Sequence, residues 1–313
     1  DFTNTSANFS NVEFVIVDGT LSITKRPVTL TSESDSKVYD GTALTNGTVN
    51  ETGDGWATGE GATYDVTGSQ TLVGSSANAF TYALNTDTNP DNYDITKVEG
   101  TLTVTPITDK VTVTITEHSG TFTYDGTEHT VTGYDVTSIS NPLYFATDFT
   151  FSGTASVSGT DVGTYPMLLV PGDFTNTSAN FSNVEFVIVD GTLTINKRPV
   201  TLTSATDSKV YDGTALTNNT VDVTGDGWAA GEGATYDVTG SQTVVGSSAN
   251  AFTYALNTDT NPDNYDITKV EGTLTVTRAE IPLILTGNSD ETMFNGLEQN
   301  VTGYTPSGLL AGH

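Results

Sequence analysis

The residues of this chain best suited to chemistry are acids, asparagines and two tryptophans. One octet runs Asp87-Thr88-Asn89-Pro90-Asp91-Asn92-Tyr93-Asp94, and a second copy spans Asp259 to Asp266. Calcium takes several carboxylate and carbonyl oxygens, and D-x-N-x-D opens like an EF-hand loop. The sixth position is Asn92 rather than Gly, however, and the twelfth is Val98 rather than Glu. Asx-turn capping explains the asparagines without a metal. The loop Gly53-Asp54-Gly55-Trp56-Ala57-Thr58-Gly59-Glu60-Gly61, with Trp228 in its copy, places an aromatic beside acids, an arrangement able to stack on a sugar ring. As a phosphate cradle it fails, lacking both a lysine and the Walker or G-x-G-x-x-G spacing. A lone Trp more often caps a small core.

Three aromatic-Asp-Gly turns, at Tyr39-Asp40-Gly41, Tyr124-Asp125-Gly126 and Tyr211-Asp212-Gly213, offer an acid that could touch a ligand. The same tripeptide is also a turn former, with Gly supplying positive φ and the Tyr packing on the core. Lys37 and Lys209 lie near a first strand, with asparagines near the last, a setting for a Lys–Asn isopeptide bond. Phe122 and Thr292 stand at the matching places elsewhere. His118, His129 and His313 are scattered, and H-E-x-x-H and G-x-S-x-G are absent. The reading is therefore of a non-enzymatic chain, with no catalytic, cofactor-binding or metal residue assigned.

Composition narrows the partners. The 313 residues carry 38 acids against 10 bases, a formal charge of −28, and no cysteine. Nucleic acid and anionic lipid both demand clustered Lys and Arg, so neither fits. Without Cys there is no disulfide framework or thiolate metal site. No apolar run approaches the roughly 20 residues needed to span a bilayer. No export or anchoring signal is visible, so the expectation is an interior segment of a longer extracellular, cell-surface protein.

Repetition organises everything else. Residues 1–105 recur without a gap at 173–277, with nine differences and an offset of 172. Within that unit lies a weaker repeat. Each half opens on an aromatic-Asp-Gly and closes on an Asn-rich loop, an apolar strand and Gly-Thr-Leu-Thr. Two segment types alternate: 27–105 and 199–277 are A-type, and 106–198 is B-type. Residues 1–26 read as the C-terminal part of a B-type domain. Residues 278–313 read as the N-terminal part of another, with Phe294-Asn295-Gly296 at the turn.

The motifs VYDGTALT, FTYDGTEHTVTGY and NY…GTLTVT, in this order and spacing, resemble the YDG and MBG-type repeat domains of large bacterial surface adhesins. The resemblance covers essentially the whole chain. It implies tandem arrays between an export signal and an anchor, and no enzymatic activity. Asn295, where the acid is missing, speaks against a chemical role for that Asp.

The elements that would position these residues are strands. Leu102 and Val104 alternate with threonines, as do Val111, Val113 and Ile115, giving the period of two expected of strands. Phe14-Val15-Ile16-Val17 is apolar on both faces and predicts a central, doubly buried strand. No sustained 3.6-residue period occurs. The fold class is thus all-β, a tandem array of small β-sandwich or β-grasp-like domains. Lys25-Arg26-Pro27 and Lys197-Arg198-Pro199 join one domain's last strand to the next domain's first with almost no slack, which predicts an extended rod. The expected function is a stalk or filament of an adhesin, holding a distal region that meets host glycan or mucin. The alternative is a multivalent glycan- or mucin-binding module built on the Trp56 loop. Edge strands would also allow self-association into fibres.

Overall fold

The structure, a computed structural model, describes residues 1–280 and 282–308; Ile281 of the last junction and His313 lie outside them. It is all-β. Strands are separated by turns and by four short 3-10 turns, and no α-helix occurs among the described residues. No helix there is long and apolar enough to cross a membrane. The chain divides into two compact units. The first holds 1–113, 138–151 and 174–187, and the second holds 114–137, 152–173 and 188–308 of the described residues.

The first unit contains the A-type segment 27–105. In strand Arg26–Ser32, Val28, Leu30 and Ser32 are buried while Thr29 and Thr31 are only half-buried, as its alternation dictates. This strand pairs antiparallel with Val49–Gly53 on one side and parallel with Tyr93–Val98 on the other. Its apolar face meets Phe80 and Tyr93, with Trp56, Tyr64, Val66 and Ile95 around them. Phe80 and Tyr64 come from the antiparallel pair Ala62–Val66 and Phe80–Leu84, so a sheet faces a strand pair across the core in sandwich fashion. Each fully buried Val or Leu stabilises by about 1.5–3 kcal/mol.

The chain then repeats the parallel arrangement one step further on. Asp35–Val38 runs parallel to Gly100–Thr105, which also pairs antiparallel with Gly74–Asn78. Leu102, Val104 and Leu44 form a second small core beneath Tyr39 and Val73. Between the two sheets the last strand passes the end of the first at Gly100. A Cβ there would lie 2.3 Å from the Ser32 carbonyl oxygen. The Ser32 hydroxyl accepts from Gly100 N–H (2.9 Å) and donates to the Asn78 carbonyl (2.6 Å). The rest of this unit is built on aromatics. Tyr144, Phe149, Phe174, Phe181 and Phe186 are all buried, with ring centroids such as Tyr144–Phe181 at 5.0 Å and Phe149–Phe186 at 5.2 Å.

The second unit contains 199–277, which repeats the A-type pairings in the same register. Its share of the B-type segment pairs Gly120–Thr123 parallel, and Gly163–Pro166 antiparallel, with Thr192–Asn196. Glu117 closes this region and is only 3% exposed. Its carboxylate accepts from Leu169 N–H (2.6 Å) and Gly191 N–H (2.7 Å). A single residue, Lys197, separates strand Thr192–Asn196 from strand Arg198–Ser204.

One expectation fails. Residues 1–25 form no strand, and Phe14, Val15, Ile16 and Val17 are exposed. Their copy does form strand Val184–Val189, but it is buried on one face only: Phe186 is inside while Val187 and Val189 are exposed. A strand covered by a second layer on one face only leaves its alternate residues to water, and Val187 and Val189 take that side. Residues 1–25, although nearly identical in sequence, pair with no strand among the described residues, and a strand without partners leaves its backbone groups to water.

Candidate functional site

The aromatic-Asp-Gly turns are closed by their own acids. Asp40 Oδ1 accepts from Thr42 N–H (2.9 Å), the Thr42 hydroxyl (2.8 Å) and Lys37 Nζ (2.7 Å), while Gly41 sits at φ +80°. The Lys37 ammonium, with Thr42 behind it, holds the Asp40 carboxyl down at about 2. Asp212 is depressed in the same way by Lys209 and Thr214. Lys37 and Lys209, weighed above as isopeptide donors, thus face aspartates across an ordinary ion pair. Asp125 closes its turn on Thr127 N–H (2.8 Å) and the Thr127 hydroxyl (2.7 Å), with His129 Nε2 at 3.1 Å. The hydrogen bonds from Thr127 lower its pKa. At Gly296, φ is +80° and Asn295 accepts from Leu297 N–H, so that turn forms with an amide in place of the acid.

The acidic octet and the tryptophan loop, separate in sequence, meet at one end of the A-type segment in the first unit. Pro90–Asn92 is a 3-10 turn capped by the Asn89 side chain, which accepts from Asp91 N–H. Thr88 is clasped to the backbone of Gly61 by two hydrogen bonds, of 2.8 and 3.0 Å. Tyr93 stands between the two loops. Its hydroxyl donates to Glu60 (2.5 Å) and accepts from Ala57 N–H (3.0 Å), and Trp56 packs edge-on at 4.9 Å. The hydrogen bond to Glu60 raises the Tyr93 pKa. Arg26 ties the loop down through the carbonyls of Gly55 (2.6 Å) and Asp54. Residues Ile23–Arg26, Ala57, Glu60 and Asp91–Tyr93 enclose a cleft of about 370 Å³. Trp56 is therefore committed to the core and to Tyr64 rather than presented as a flat platform for a sugar. Among the described residues, no cluster of three or more His, Cys, Asp or Glu side chains is placed to hold a metal ion.

In the second unit the same end of the A-type segment is occupied. Tyr124, from the B-type turn, packs edge-on against Tyr265 at 5.5 Å, and its hydroxyl donates to Glu232. Glu232 also accepts from Tyr265 (2.8 Å), so one carboxylate joins both phenols. Burial, and then the bond to Glu232, pushes Tyr124 up to about 12; burial above all puts Tyr265 at about 12 too. Arg198 adds a bond to the Tyr124 carbonyl (3.2 Å) to those it makes to Gly227 and Asp226. Asn264 accepts from Val162 N–H (2.9 Å) and donates to Asp161 (2.8 Å). Donors and acceptors are matched and no nucleophile is paired with a base, so the arrangement suits recognition of a polypeptide turn.

Reading the sequence missed Arg198, Glu232, Tyr265 and Asn264 as a group. A signal was present: the chain has only three arginines, Arg26, Arg198 and Arg278, and two of them occupy the same place at segment starts. No family model and no curated protein matches this chain.

Proposed function

We propose that this chain is a structural segment of the stalk or filament of an extracellular bacterial adhesin of the YDG/MBG type, projecting a distal binding region from the cell surface. The observation that carries this reading is the near-identity of 1–105 and 173–277. A spacer gains length by copying a unit, and copies tolerate change in number because the contribution of each is additive. The architecture supports it: small β-cores repeat, single residues join consecutive strands, and the side chains that drew attention as chemical candidates close turns and pack cores. The test is to remove one 172-residue unit from the complete surface protein. Reach, measured by electron microscopy, should shorten by the length of one unit, and affinity for the distal ligand should stay unchanged. Affinity falling in proportion to the number of copies would instead support a multivalent binder.

A further inference from the structure

The two A-type segments present the same residues at the same end in two states. In the second unit Asn264 is 1% exposed and Ala229 5% exposed, beneath the Tyr124 turn and the Asp161-Val162 backbone. In the first unit the equivalent Asn92 is exposed, Ala57 is half-buried and Arg26 is exposed around the open cleft. Every group that grips the turn is present there: Arg26 for Arg198, Ala57 for Ala229, Glu60 for Glu232, Asn92 for Asn264 and Tyr93 for Tyr265. The internal arrangement matches as well. Tyr93 already donates to Glu60, and Arg26 already holds the two loop carbonyls, as their counterparts do.

We infer that the cleft around Tyr93, Glu60 and Arg26 is the docking site for the Tyr-Asp-Gly turn of a B-type domain that runs directly into residues 1–26 in the same polypeptide. Two observations choose this occupant. Residues 1–26 line the cleft through Ile23–Arg26, and they match 173–198, the closing stretch of the B-type domain whose turn fills the second site, at all but two positions. The chemistry also fits a neutral phenol better than a charged ligand. Glu60 would receive a second phenolic O–H, the Arg26 guanidinium would donate to a turn carbonyl, and the Asn92 amide would pair with a backbone N–H and an Asp. Small size at position 57 matters, because the turn backbone comes so close in the filled site that a Cβ added to Gly126 would lie 3.4 Å from Ala229 Cβ. The inference concerns how neighbouring domains lock together, and it stands or falls separately from the stalk reading.

The test adds residues 106–172 ahead of Asp1, which completes a B-type domain in front of the first cleft, and reads thiol labelling in a chain that has no cysteine of its own. Ala57→Cys should label readily in the unextended protein and roughly tenfold more slowly in the extended one, since burial withdraws the thiolate. Ala229→Cys should be slow in both, and Tyr124→Ala should speed it. A second measurement pairs Ala57→Cys with cysteine at the added copy of Gly126, with Gly126→Cys/Ala229→Cys as the control at disulfide spacing. An intramolecular disulfide in both supports the inference. Equal labelling of Ala57→Cys with and without the added domain would overturn it. So would protection that appears only at high concentration of the unextended protein, or disulfides that link separate chains, because the occupant would then be a second molecule.

Discussion

Glu117 shows what one side chain does for a small β-domain. Its carboxylate is buried and accepts from two backbone amides, those of Leu169 and Gly191. Glu117→Ala should cost about 2–4 kcal/mol, because a lost hydrogen bond to a charged group comes with unpaired buried N–H groups. Glu117→Gln should recover part of this, since its amide oxygen can still accept; urea denaturation measures both. The tyrosines make a second prediction. Tyr124 and Tyr265, held near 12, are raised above the ordinary tyrosine value of 10.0. A raised folded pKa means that their contribution is complete below pH 10 and is lost as pH climbs toward 12. Absorbance titration near 295 nm should show Tyr124→Phe losing a phenol that ionises toward pH 12 rather than one that ionises near 10, and the same substitution should flatten the alkaline loss of stability. Asp40 works in the opposite sense. Its folded pKa of about 2 lies below 3.8, so its contribution is present above pH 4 and disappears as pH falls toward 2. Asp40→Asn should reduce the drop in melting temperature over that interval.

Elements carry the next level. The Gly of each Gly-Thr-Leu-Thr ending lies where the last strand crosses the end of the first. At Gly100, Gly191 and Gly272 a Cβ would come within 2.3 Å of a backbone oxygen, which cannot move aside. Gly272→Ala should therefore destabilise by about 1–3 kcal/mol, the range of overpacking costs, with the loss read from the denaturation midpoint. Much at this scale was legible in sequence. The alternation in Val111–Glu117 marks a face carrying Val111, Val113 and Ile115, and the same period puts Glu117 on that inner face, so its burial could have been foreseen. Pairing direction could not. A period of two assigns faces but says nothing of which strand lies alongside or in what sense, and the parallel pairing of Arg26–Ser32 with Tyr93–Val98 depends on contacts 67 residues apart in sequence. The candidate site was half legible for the same reason. The octet and the Trp56 loop each stood out by composition, but their meeting at Tyr93 is a product of tertiary folding. Phe14–Val17 misled because apolar residues on both faces record composition rather than the number of layers available to cover them.

For the molecule as a whole, the balance of 38 acids to 10 bases is the dominant electrostatic fact. Most of these acids lie on the surface, where like charges repel and salt screens them over about 10 Å at 0.1 M. Raising sodium chloride from 10 to 300 mM should therefore increase the melting temperature, measured by calorimetry; a fall would mean that ion pairs such as Lys110–Glu185 outweigh the repulsion. The strand order of the A-type segment has a mechanical consequence. Its entering strand lies parallel to Tyr93–Val98, and its exiting strand Gly100–Thr105 lies parallel to Asp35–Val38. Tension drawn through the two termini would load both ladders in shear. Many rungs would have to give way together, where a hairpin peeled from its open end would lose them one by one.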